Sequence, residues 1–160
     1  MSECKPRVTP CDFNYNKMTD DDSTQFADGT LYRAIVGSHI YAMSATRRDL
    51  CFVVTYLSQH MSKPTNVHMT MAKHVLRYLK GILDYELIFR KSDTDMKLSR
   101  FADADWANSP DRRRITGYGF HLSKNGPLIS WKCIKQQTVA LSTCEAEYIS
   151  MCATVQKQSF

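Results

Sequence analysis

Two short acidic segments carry the chemistry open to this chain: Phe101-Ala102-Asp103-Ala104-Asp105-Trp106 and Ser142-Thr143-Cys144-Glu145-Ala146-Glu147-Tyr148. Carboxylates are hard oxygen donors, and a pair of them can hold Mg²⁺, a cation that keeps several waters and serves phosphodiester hydrolysis. Asp103 and Asp105 share one face if a strand runs through both, because strand side chains alternate; if the strand ends at Asp103, Asp105 belongs to the loop. Glu145 and Glu147 are two apart on a helix and so do not share a face. Ser142 and Glu145 read as a capping box, which engages Glu145 with the backbone and leaves Glu147 to face a sheet. The competing reading of both glutamates is a solvated pair complementing the helix dipole.

A basic run, Arg112-Arg113-Arg114, follows the first acidic segment. Guanidinium groups there could clamp phosphates bidentately; an exposed charged loop is the other reading. His68, His74 and His121 fall in no HExxH pattern and read as non-ligands. The six cysteines form no CxxC pair and have no matching His spacing, so neither a zinc site nor a disulfide framework is indicated, and free thiols in a reducing compartment are expected.

These residues need elements to position them. Leu31, Ile35, Ile40 and Met43 are helix-spaced, with Gly37-Ser38 small enough to admit a neighbouring helix. A second helix is expected with Thr46 as N-cap, Asp49 as its capping-box partner and Lys63-Pro64 as its end. A third begins near Thr65 or Asn66, buries Ala72, Val75, Leu76 and Leu79, and takes Gly81 as C-cap. Tyr85 to Phe89 reads as a strand and Lys91 to Asp95 as a turn. The period then becomes two: Leu98 to Ala102 leads into Asp103, Gly117 to Leu122 forms a second strand and Leu128 to Trp131 a third. Lys124-Asn125-Gly126-Pro127 is the hairpin signal between the last two.

The order is a helical block, three antiparallel strands and a helix: an α/β protein of mixed α+β organisation. Three regions follow: an irregular acidic leader (1–30) mobile at its start, a helical segment (31–90) and a sheet-forming part (97–160).

Composition narrows the partners. The chain has 160 residues, 43% of them apolar, and a net charge of +5. That charge is uneven: residues 1–30 carry three Lys/Arg against six Asp/Glu, the rest eighteen against ten. A basic body suits polyanions, whose condensed counterions are released on binding. A signal-peptide pattern and a membrane-length apolar run are both missing, so a cytoplasmic or nuclear location is expected, with no membrane partner.

Several strings, in order, resemble the C-terminal part of copia-type retrotransposon Pol polyproteins. They are Thr30-Leu31-Tyr32-Arg33-Ala34-Ile35-Val36-Gly37-Ser38, Ala45-Thr46-Arg47-Arg48-Asp49-Leu50, His74-Val75-Leu76-Arg77-Tyr78-Leu79-Lys80-Gly81, Asp103-Ala104-Asp105-Trp106-Ala107, Ile129-Ser130-Trp131-Lys132 and Thr138 to Tyr148. Residues 31–81 then correspond to the end of the reverse transcriptase region and its connection, and residues from Lys97 onward to the first part of a ribonuclease H-like domain. The resemblance implies Mg²⁺-dependent hydrolysis of RNA in RNA–DNA hybrids by a two-metal centre. Asp103 and Glu147 are its motif-matched catalytic and metal residues, with Asp105 and Glu145 as alternates. It also implies an upstream reverse transcriptase domain as partner.

Two departures from the family stand out. Arg48 replaces the usual Pro, and the further acidic ligands from a later strand and helix are not among these residues. The expectation is therefore a truncated ribonuclease H-like fragment that is inactive alone. Its alternatives are a domesticated, non-catalytic nucleic-acid-binding module or a decayed gene product.

Overall fold

The computed structural model describes residues 4–12, 28–91, 96–105, 113–123 and 126–158. They fall into two compact units, residues 1–85 and 86–160. This boundary lies five residues before the end of the expected helical region.

The first unit is helical. Asp28 accepts the Leu31 N–H at 2.9 Å and opens α1, Gly29–Ala45. The buried face of α1 is Tyr32, Val36 and His39, one step round from the expected Leu31 stripe; Leu31 is 45% exposed. Polar tips explain the rotation, since both larger side chains reach backbone carbonyls inside the core. The Tyr32 hydroxyl donates to Leu57 O at 2.8 Å, and His39 Nε2 lies 3.1 Å from Ala72 O. Among the described residues nothing lies within 4 Å of where a Cβ on Gly37 would sit, so none of the described helices approaches there.

Thr46 does not cap the second helix. Its N–H closes α1 on Ala42 O, and the chain continues through a 3-10 turn, Arg48–Leu50, into α2, Cys51–Ser58. Asp49 receives the Arg47 guanidinium at 3.0 and 2.7 Å and the Tyr78 hydroxyl at 2.8 Å instead. Burial alone would raise the Asp49 carboxyl, but those hydrogen bonds outweigh it and hold the group below its ordinary range. α2 ends before Lys63-Pro64 because Gln59 and His60 donate to Tyr56 O and Leu57 O, the tight i→i−3 pattern that closes a helix.

α3, Asn66–Gly81, starts where expected, with Thr65 as N-cap. His68 takes the part of the usual glutamate: its Nδ1 accepts the Thr65 N–H at 3.1 Å. Ala72 and Val75 are buried and Leu76 and Leu79 half-buried. Gly81 is the last helical residue, with Ile82 as C-cap. A Cβ on Gly81 would meet Arg7 O and Pro6 Cβ, each at 3.2 Å, so its value lies in close approach. Residues 4–12 run along α3: Arg7 N donates to Arg77 O, Lys80 Nζ to Cys4 O, and His74 Nε2 pairs with Thr9 O. This part of the leader is irregular, as expected, and tied to α3 by these bonds; residues 1–3 and 13–27, the latter with the acidic cluster, lie outside the described residues.

The second unit is a sheet with one helix. β1 is Ser99–Asp105, β2 Ile115–His121 and β3 Leu128–Lys135, antiparallel in the order β1-β2-β3. Asp103 pairs with Gly117, and an irregularity at Phe120/His121 shifts the β2–β3 register. Gly126 N donates to Ser123 O in the described part of the hairpin; Lys124 and Asn125 lie outside it, as do Ser92–Asp95 of the expected turn. The strand expected at Tyr85–Phe89 does not form: residues 85–91 are irregular, and no described strand pairs with them. Alternating apolar residues make a strand only when a neighbour supplies the ladder.

α4, Thr143–Gln158, covers the sheet, mainly β1. Its buried stripe is Ala146, Ser150 and Thr154, spaced i, i+4, i+8 and all but fully buried. Small side chains let the helix lie close to the strand. Among the described residues no helix is long and apolar enough to cross a membrane.

Candidate functional site

The approach of α4 to β1 is fixed at Asp103. The Ser150 hydroxyl donates to the Asp103 main-chain carbonyl at 2.8 Å, tying the second turn of the helix to this strand position. Glu147 lies three residues before Ser150, a spacing that makes them neighbours on the helix surface. It is half-buried, while the Asp103 side chain is exposed. The structure thus brings the backbone of one candidate and the helical turn of the other to the same end of the sheet.

The start of α4 separates the two glutamates. Glu145 N donates to Ser142 Oγ at 3.1 Å, and the Glu145 carboxylate accepts the Leu141 N–H at 2.6 Å. The cap therefore occupies Glu145, as the spacing predicts, with its return bond one residue earlier than in the usual box. Asp105 is the last residue of β1, so the strand runs through both aspartates.

Gln136 follows β3 and is 5% exposed. Its N–H donates to Arg114 O at 2.7 Å, and its Nε2 donates to Thr116 Oγ1 at 3.0 Å and Ala146 O at 3.2 Å. Ala146 immediately precedes Glu147. Sequence reasoning missed Gln136 and Ser150. The i, i+4, i+8 spacing of small residues was a signal for Ser150, whereas nothing local marked Gln136.

The arginines divide. Arg113 is exposed, Arg114 is 7% exposed, and Arg112 lies outside the described residues. The expected non-ligand histidines are engaged elsewhere: His121 Nδ1 lies 2.6 Å from Gly126 O, with its ring edge-on to Phe101. His68 stacks on His60 with centroids 3.8 Å apart. The described residues include all six cysteines, and no disulfide joins any of them. Among the described residues no group of three or more His, Cys, Asp or Glu could hold a metal ion.

Comparison with known proteins places these features in a lineage. The chain is 41% identical over 155 residues, 96% of its length, to the retrovirus-related Pol polyprotein from transposon RE2 of Arabidopsis thaliana, of which it spans 10%. It is 42% identical over 124 residues, 77% of its length, to the corresponding polyprotein from transposon TNT 1-94 of Nicotiana tabacum, of which it spans 9%. It is also 43% identical over 127 residues to the secreted RxLR effector protein 161 of Plasmopara viticola, covering 79% of this chain and 87% of that protein.

These similarities, which follow the order of the motifs along the chain, define a segment of a retroelement Pol sequence. The chain belongs to the copia-type retrotransposon Pol family, and it spans about a tenth of the Pol polyproteins it matches. No family model and no solved structure matches it.

Proposed function

We propose that residues 86–160 are a ribonuclease H-like region in which Asp103 and Glu147 are the first two ligands of a Mg²⁺ centre acting on RNA in RNA–DNA hybrids. The observation that carries this reading is the Ser150–Asp103 bond at 2.8 Å, which holds β1 against the helical turn bearing Glu147. The donors suit the ion, since two carboxylates offer hard oxygen atoms to a hard cation that retains waters. Mg²⁺ at such a centre neutralises phosphate charge and lowers the pKa of a bound water. Asp103 and Glu147 would hold it, and Arg113 would meet the phosphate backbone. Hybrid recognition of this kind reads groove shape and 2′-hydroxyls rather than base identity, and the basic body supports it.

Two carboxylates do not complete a two-metal centre, and the described residues gather no third acid beside them. On this reading the described residues bind a hybrid, and hydrolysis needs further acidic ligands beside them; in the family the region works beside a reverse transcriptase domain.

A labelled RNA–DNA hybrid incubated with the purified chain and Mg²⁺ tests both halves. Binding that weakens steeply with salt, without cleavage, is expected. Cleavage abolished by Asp103→Asn and by Glu147→Gln would overturn the inactivity, and absence of binding at low salt would remove the nucleic-acid role.

A further inference from the structure

Gln136 carries an unexplained cost. Its Nε2 must be the atom facing Ala146 O, because a carbonyl only accepts. That orientation leaves Oε1 buried, with no donor among the described residues. A buried acceptor without a partner is destabilising and offsets part of what the two bonds donated by the amide contribute. What the side-chain amide provides is a two-way tie. It joins β2 through Thr116 to the first turn of α4 through Ala146, while the main-chain N–H of Gln136 holds the Arg114 carbonyl whatever the side chain. Thr116 is the register partner of Ala104, the residue next to Asp103. Ala146 is the residue next to Glu147. Both ends of the tie are thus one residue from a candidate ligand, and both anchors are buried, Thr116 at 3% and Ala146 at 0% exposure.

We infer that Gln136 is a positioning residue that sets the separation of Asp103 and Glu147 by clamping the start of α4 to the sheet. The inference rests on the reading of those two carboxylates as a cation-binding pair. Ser150 fixes the helix one turn further along, and Gln136 fixes it on the other side of Glu147. Two ties bracketing Glu147 restrict both the tilt and the slide of its turn. A pair of weak ligands depends strongly on such restriction, because groups that orient metal ligands contribute about 10–100-fold to affinity.

The test uses the full chain, with Mn²⁺ as probe ion and its electron paramagnetic resonance signal as readout. Gln136→Met removes the donor and the orphan acceptor together while keeping the side chain's length. It is expected to fold with at most a modest drop in melting temperature, from the two donated bonds it loses, and to bind Mn²⁺ about tenfold more weakly. Thr116→Val, which removes one acceptor at little change in shape, is expected to show a smaller drop, and it carries the test if the Met variant fails to fold. Unchanged Mn²⁺ affinity in both folded variants, beside a parent site that Asp103→Asn weakens, overturns the positioning role and leaves the carboxylate pair standing. A parent chain with no Asp103-dependent Mn²⁺ site overturns both.

Discussion

A glutamate in the first turns of a helix can serve the helix or remain available to a site, and in α4 the cap engages Glu145. Glu145 is bonded to the Leu141 N–H, which leaves Glu147 beside the strand carrying Asp103. Capping chemistry made this division legible in the sequence, because Ser142 and Glu145 stand at the required spacing. The buried histidine of α1 was not legible, because an imidazole on an apolar stripe gives no local sign that a carbonyl 33 residues away will meet it. Burial lowers the His39 pKa, outweighing its bond to Ala72 O, so the ring is held neutral in the folded state. The unfolded chain then takes up more protons between the folded and unfolded values. The contribution of His39 is whole above an unfolded pKa of about 6.5 and is lost as pH falls through the folded value. Urea unfolding at decreasing pH should show this loss, and His39→Gln, which keeps a donor for Ala72 O, should flatten it.

At the scale of elements, the parts read correctly were those fixed by local chemistry: the Thr65 and Ser142 helix starts, and the three period-two strands. The errors lie where tertiary partners decide. Thr46 resembles an N-cap, but Asp49 is drawn to Arg47 and Tyr78, 29 residues away in the second case, and the helix begins later. Tyr85 to Phe89 has the composition of a strand and no ladder to join. The cap on α4 gives a direct prediction. Ser142→Ala should destabilise the second unit by about 1 kcal/mol, read by chemical denaturation, because the Glu145 N–H loses its acceptor at the helix start. Ser150→Ala should loosen helix from strand with a similar stability loss of about 1 kcal/mol, since one part-buried carbonyl loses its donor.

At the scale of the whole molecule, the chain is two units with separate cores. The first is a cluster of Tyr32, Val36, Leu50, Val54, Leu57 and their neighbours, closed by the segment tied along α3. A protein of residues 1–85 should therefore be helical by circular dichroism and unfold cooperatively, with Tyr32→Phe weakening it by about 1 kcal/mol through the lost bond to Leu57 O. The second unit carries the candidate chemistry on a small core of Ala104, Thr116, Ala146, Ser150 and Thr154. Its family assignment follows from motif order, while the separation of its two carboxylates depends on ties that no single motif reveals. Mn²⁺ binding to the full chain, followed by electron paramagnetic resonance, tests the claim that Asp103 and Glu147 form one cation site. One weak site is predicted, reduced at least about tenfold by either Asp103→Asn or Glu147→Gln and retained in Glu145→Gln. Equal affinity in the parent chain and in both of the first two variants would contradict it.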